Sequence, residues 1–201
     1  MRLKHTIILL SALLFATGAA AQNNKAAEYM RRLAAAMEAM RAYTVDFRAE
    51  AGDESIRGRY EVDADRYHIS VAGNEVYGDD IVRREIDTRK REIVVDAADT
   101  TSRNLLTNPT RGFRFLGDDY HARLDSESGD RAVITLTPAA KSTAGIISVT
   151  LSISDSPLPE KICYNTEGEI VTIIIERIGK GAVVPEFSAA DYPDFEIIDF
   201  R

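Results

Sequence analysis

The stretch Ile147-Ser148-Val149-Thr150-Leu151-Ser152-Ile153-Ser154 alternates apolar and hydroxyl-bearing side chains without a break. Successive side chains of a strand point to opposite faces, so this pattern specifies a strand with one face buried and the other in water. The same rhythm recurs upstream. Val45, Phe47 and Ala49 alternate with Asp46, Arg48 and Glu50 across 44–51, and Gly52-Asp53 supplies a turn. Ile56, Tyr60 and Val62 in 55–63 and Tyr67, Ile69 and Val71 in 66–72 repeat it, followed by short strands at 75–77, 81–86 and 92–96. Strands resume from Tyr120. Ala132, Ile134 and Leu136 oppose Val133, Thr135 and Thr137, Ile162 and Tyr164 mark a return over 161–165, and Val171, Ile173 and Ile175 share a face of 170–178. A last strand is expected over 195–200. Short turns between neighbours predict antiparallel meander pairing.

Two segments depart from this rhythm. Met30, Leu33, Met37 and Met40 recur at helical spacing, which predicts one amphipathic helix over 25–43 whose apolar stripe must be buried. The segment 99–116 has no alternation, carries Pro109 and Gly112, and gathers Leu105, Leu106, Phe113, Phe115 and Leu116; it reads as two short helical turns around Pro109. The polar alternate faces imply that only one side of the sheet is covered. A sheet of about ten strands curls as its twist accumulates. The expected fold is therefore β-rich α+β, a curled antiparallel sheet forming an open, incomplete β-barrel with helices covering its concave face. An apolar hollow should lie between helix and sheet. Its expected lining is Met30, Leu33, Met37, Phe47, Tyr60, Val62, Tyr67, Ile69, Leu105, Leu106, Phe113, Phe115, Ile134, Leu136, Val149, Leu151, Val171 and Ile173.

The first residues set the compartment. Arg2 and Lys4 precede an apolar run over 7–15 that is too short to span a bilayer, and Ala19-Ala20-Ala21 offers the small residues of a cleavage site. Residues 1–21 are expected to be a removable signal peptide and 22–201 one domain, free in the periplasm of a diderm cell. The only cysteine, Cys163, lies far from the position a lipid anchor would need and can form no internal disulfide. Loss of 1–21 removes two of the 25 basic residues and none of the 32 acidic ones, taking the formal charge from −7 to −9. Such a balance argues against nucleic acid and against an anionic membrane surface.

Catalytic signals are weak. His68 and His121 share no metal-ligand spacing, the acidic pairs Asp79-Asp80 and Asp118-Asp119 fall in expected turns, and neither a phosphate-cradling glycine loop nor a nucleophile elbow occurs. No enzyme activity, cofactor or metal is expected.

Several motifs resemble one family. Gly58-Arg59-Tyr60-Glu61-Val62-Asp63-Ala64-Asp65-Arg66-Tyr67, Glu75-Val76-Tyr77-Gly78-Asp79-Asp80, Asn104-Leu105-Leu106-Thr107-Asn108-Pro109 and Leu136-Thr137-Pro138-Ala139-Ala140-Lys141 follow each other in its order. The tail from Phe187 through Asp191 and Tyr192 to Ile197-Ile198 follows its closing pattern. Together they resemble the LolA-like periplasmic outer-membrane lipoprotein carriers, in the divergent form found in Bacteroidota. The resemblance implies a half-barrel whose hollow takes the acyl chains of lipoproteins or lipids, with Arg66 at its mouth. It also implies an inner-membrane lipoprotein-releasing transporter and an outer-membrane acceptor as partners of a monomeric carrier. The alternative is a periplasmic lipid-sensing or protein-docking module of the same fold, with the basic residues Arg83, Arg84, Arg89, Lys90 and Arg91 as a surface for an acidic partner.

Overall fold

In the computed structural model, the described residues are 3–102, 104–110, 113, 120–139, 145–166 and 168–201, with side chains from residue 22 onward and that of Thr166 excepted. Helix α1 (Leu3–Met40) presents Ala26, Tyr29, Met30, Leu33 and Met37 as a buried stripe at three- and four-residue intervals. Its backbone is continuous through the expected cleavage point. It stops short of the expected Tyr43. Arg41 turns left-handed at φ 55°, donating its N–H to Glu38 O at 3.1 Å, and Tyr43 is already an inward residue of the first strand. The period-two pattern thus starts one step earlier than its charged members suggest.

Twelve strands follow: β1 (Ala42–Ala51), β2 (Glu54–Asp63), β3 (Arg66–Val71), β4 (Asn74–Gly78), β5 (Val82–Asp87), β6 (Glu92–Ala97), β7 (Tyr120–Ser128), β8 (Arg131–Pro138), β9 (Ile146–Ser152), β10 (Pro159–Thr166), β11 (Glu169–Lys180) and β12 (Glu196–Asp199). They form one sheet in the order β12-β6-β5-β4-β3-β2-β1-β11-β10-β9-β8-β7. Two meanders, β1 to β6 and β7 to β11, are joined where β1 pairs antiparallel with β11. The sheet is unclosed, with β12 and β7 at its edges.

One core cluster joins α1 to inward residues of nine strands, β1 to β4 and β7 to β11. Nine strands laid flat span about 38 Å, whereas a helix with its side chains is about 10–12 Å across. A single helix can share a core with all of them only if the sheet curls around it. Register shifts at Asp46/Phe47 against β11 and at Leu124/Ser126 against β8 add local twist. The second also disrupts the β7 edge, where the Arg123–Asp125 ion pair at 2.8 Å further discourages pairing with another chain. Close packing at the floor uses glycine: a Cβ on Gly78 would stand 2.2 Å from Tyr67 Cζ, and one on Gly58 2.6 Å from Phe47 Cζ.

Three expectations are corrected. Over the described residues 104–110 the segment forms turns at 105–107 and 109–110 in place of a helical turn, and most of the turn expected after Pro109 lies outside the described residues. Asn104 O accepts both Thr107 N–H and Asn108 N–H, at 3.0 and 2.9 Å, its Oδ1 takes Leu106 N–H at 2.8 Å, and Pro109 cannot extend the turn into a helix. The pairing is not wholly antiparallel, because β12 runs parallel to β6 after the chain has crossed back over the sheet. Nor is only one face covered. Tyr77 opposite Arg84 and Glu75 opposite Ile86 put Val82, Ile86, Ile93 and Val95 on the face away from α1, where Tyr77, Phe187, Tyr192 and Phe195 pack over them.

Candidate functional site

The hollow is filled by the chain's own side chains. Met30, Leu33 and Met37 descend from α1 onto Phe47, Tyr60, Val62, Tyr67, Ile69, Ile134, Leu136, Val149, Leu151 and Ile173, all buried in one cluster. Leu105 and Phe113 close it from the connecting segment, and Leu106 is half-buried at its margin, whereas Val171, half-buried on β11 opposite Tyr164, is not packed against this cluster. Phe115 and Leu116 lie outside the described residues. Each fully buried large apolar side chain contributes about 1.5–3 kcal/mol relative to exposure.

The wall of the hollow is more polar than its alternation suggests. Of the eight tyrosines, Tyr29, Tyr43, Tyr60, Tyr67, Tyr120 and Tyr164 belong to this core. Three of them hold the segment 104–110 by its main chain. Tyr164 Oη accepts Leu105 N–H at 3.2 Å, Tyr67 Oη donates to Thr107 O at 3.2 Å, and Tyr43 Oη reaches Pro109 O at 3.5 Å. The segment is also braced by buried Asn108, whose Nδ2 donates to Asp99 O at 3.1 Å and whose Oδ1 accepts Thr110 Oγ1–H at 2.6 Å.

Tyr60 differs from these. It is 0% exposed, its ring meets Tyr43 edge-on at 6.4 Å and Phe47 at 5.9 Å, and its hydroxyl has no hydrogen-bond partner. An unpaired buried hydroxyl costs about 1–3 kcal/mol. Burial, then the phenols of Tyr43 and Tyr164, push its ionisation far above the ordinary tyrosine range, and burial does the same at Tyr164. Both therefore stay protonated, able to donate as well as accept.

A cleft of about 380 Å³ enters the hollow beside the C-terminal end of α1. Met37, Tyr43, Val62 and Phe113 form its apolar part, and Glu38, Arg41, Asp65, Asp80 and Thr110 its polar part. The volume falls within the range of about 300–1,000 Å³ usual for small-molecule pockets. Arg66 stands next to this cleft in sequence but starts β3 opposite Asp63, and its guanidinium pairs with Asp63 at 3.3 Å and Glu186 at 3.6 Å. Sequence reasoning missed Tyr43, Tyr164 and Asn108. The two tyrosines carried a signal, since each holds an inward position of an alternating strand.

Three of the five basic residues of β5 and the following turn are matched by acids of the same chain. Arg83 pairs with Glu85 and Arg91 with Asp194, both at 2.8 Å, Lys90 reaches Asp87 at 3.7 Å, and Arg84 lies over the Phe187 ring at 5.1 Å. On the outer face His68 Nδ1 lies 3.1 Å from Glu61 Oε2. Cys163 is half-buried there, opposite Ser148 and Thr172. Among the described residues no group of three His, Cys, Asp or Glu side chains is placed to hold a metal, and no helix is long and apolar enough to cross a membrane.

No family model matches the chain, and no curated protein matches it. Solved structures do. An uncharacterized conserved protein from Thermus thermophilus aligns with a TM-score of 0.55 at 9% identity, over 87% of this chain and 99% of that one. A putative outer-membrane lipoprotein-sorting protein domain from Vibrio parahaemolyticus aligns at 0.45 and 11% identity, over 85% and 97%. A LolA superfamily protein from Nitrosomonas europaea aligns at 0.41 and 12%, over 83% and 96%. The chain shares its fold with the Thermus thermophilus protein, and its unclosed, mostly antiparallel sheet over one helix is the architecture that the LolA-like resemblance implies.

Proposed function

We propose that this chain is a periplasmic carrier, not an enzyme, which takes acyl chains of a lipoprotein or lipid into the hollow between α1 and the sheet. In this reading residues 1–21 are removed on export, and the monomer moves its cargo from an inner-membrane releasing transporter to an outer-membrane acceptor. The observation that carries the reading is the way the inner face is covered. One amphipathic helix and the short segment 104–110 shield inward residues of nine strands, and the segment is a looped stretch tied to the wall through hydrogen bonds to the Tyr43, Tyr67 and Tyr164 hydroxyls. A cover held that way can withdraw and leave an apolar surface for a greasy ligand.

Release matters as much as capture. Burial of a ~16-carbon chain gains on the order of 12 kcal/mol before ordering costs, at about 0.8 kcal/mol per methylene. Competition from the chain's own side chains lowers the net affinity, and flexible Met30 and Met37 repack readily between the empty and filled states. The alternative, a protein-docking module, relied on the basic residues at 83–91, and most of those cations are engaged within the chain.

The test is recovery of the protein from the periplasm and mass spectrometry of what accompanies it. Co-purifying acyl lipid or lipoprotein is expected; a protein partner bound to a chain with an empty hollow would favour the docking module.

A further inference from the structure

The unpartnered hydroxyl of Tyr60 is chemically out of place in a hollow that only has to hold hydrocarbon. Phenylalanine would fill the same space in that wall without an orphaned polar group. The hydroxyl is fully buried, adjoins the phenols of Tyr43 and Tyr164, and lies one ring behind Tyr43, which lines the 380 Å³ cleft. Tyr43, Tyr67 and Tyr164 spend hydrogen bonds on the segment 104–110, and they lose those partners whenever it withdraws.

We propose that these tyrosines form a carbonyl subsite, in which Tyr60, joined by Tyr43 and Tyr164, donates hydrogen bonds to the ester or amide carbonyl oxygens at the head of an acyl ligand. The inference rests on the carrier reading and narrows its ligand class to chains bearing a carbonyl linkage. A carbonyl oxygen suits the site because it accepts and does not donate, and phenols held protonated by burial have an O–H to give. Hydrocarbon tails follow the Met30 and Leu33 side of the hollow while the linkage stays beside Tyr43 near the cleft. Pairing the orphaned hydroxyl makes the linkage a specificity determinant, because an analogue without the oxygen leaves the group unsatisfied.

The experiment measures equilibrium affinity by displacement of a fluorescent acyl probe from the 22–201 chain. Three competitors are used: a diacylglyceryl-cysteine lipopeptide with two ester-linked palmitoyl chains, its dialkyl ether counterpart, and ester-linked phosphatidylglycerol. The ester lipopeptide is expected to bind about five- to tenfold more tightly than the ether, the size of one or two net hydrogen bonds. Tyr60→Phe should abolish that preference while raising the melting temperature by about 2–4 °C, since it removes an unsatisfied group from the empty protein. Tyr77→Phe, on the outer face, should leave the preference intact. Equal affinity of phosphatidylglycerol and the ester lipopeptide would assign the carbonyl chemistry to lipids generally, and preference for the lipopeptide would assign it to lipoproteins; either supports the subsite. Equal binding of ester and ether overturns the subsite and leaves the carrier reading standing. Failure of every competitor to bind overturns the carrier reading itself, and the subsite with it.

Discussion

The two apolar clusters on opposite faces of this sheet are built to different standards. On the outer face Val82, Ile86, Ile93 and Val95 lie under Tyr77, Phe187, Tyr192 and Phe195, and the polar atoms of the aromatic cap are paired. Tyr77 and Tyr192 both donate to Glu75 Oε2, at 2.8 and 2.7 Å, and Phe187 stacks on Tyr192 at 5.9 Å. Burial works against the Glu75 carboxylate, yet the two phenols and His68 hold its pKa below the ordinary value. On the inner face the core is far larger, its cover is a helix and a short looped segment, and Tyr60 keeps an unpaired hydroxyl at its centre. The small cluster is a clamp that fastens the tail with both its phenols paired; the large one keeps an orphaned phenol, the feature on which the proposed subsite rests.

This contrast can be broken most severely from the inner side. Phe47→Ala empties the floor beneath Tyr60 and should cost about 3–5 kcal/mol, read by urea denaturation, whereas Ile86→Ala in the outer cluster should cost about 2–4 kcal/mol. Gly78→Ala should cost about 1–3 kcal/mol by overpacking, because the new methyl must displace the Tyr67 ring and with it the bond to Thr107 O. Hydrogen exchange in that variant should quicken over 104–110 and stay unchanged in β12. Phe187→Ala should do the reverse. It loosens β12 and β6 at a cost of about 1–2 kcal/mol, through lost aromatic and cation–π contact, without affecting acyl-probe binding.

The smallest expected effect lies on the outer face away from both clusters. Hydrogen bonds from Arg59 at 2.6 Å and Arg177 at 2.7 Å hold the Asp46 carboxyl below its ordinary pKa, against some desolvation. A depressed folded-state value means the stabilisation is complete above the unfolded pKa and is lost as pH falls through the folded one. Stability should therefore drop below about pH 4, by less than about 1 kcal/mol for a pair this exposed. Asp46→Asn should remove that part of the acid dependence in pH-resolved thermal melts.

Much of this was legible because local patterns decide it. The alternation of 147–154 gave β9 and its buried face directly, and Met30, Leu33 and Met37 gave the stripe of α1. What the pattern could not supply depends on partners distant in sequence. Val82 and Ile86 look equally suited to either face, and their side is fixed by register with β4 and by a tail a hundred residues on, through the Phe187 and Tyr192 rings. The role of Arg66 was similarly hidden, since one of its acids, Glu186, arrives only with that tail. The tyrosine wall was half visible: inward parity marks Tyr43, Tyr60, Tyr67 and Tyr164, but which hydroxyl lacks a partner is set by where 104–110 crosses them.

In the proposed carrier the inner hollow, and not the outer cluster, receives acyl chains. A palmitoyl lipid carrying a photoreactive group near its chain end, bound to the chain and irradiated, tests it directly by peptide mapping. Saturable labelling of Met30, Met37, Leu105 or Phe113, competed by unlabelled lipopeptide, is the predicted result. Labelling confined to Tyr77, Phe187 and Tyr192, or labelling that never saturates, would contradict it.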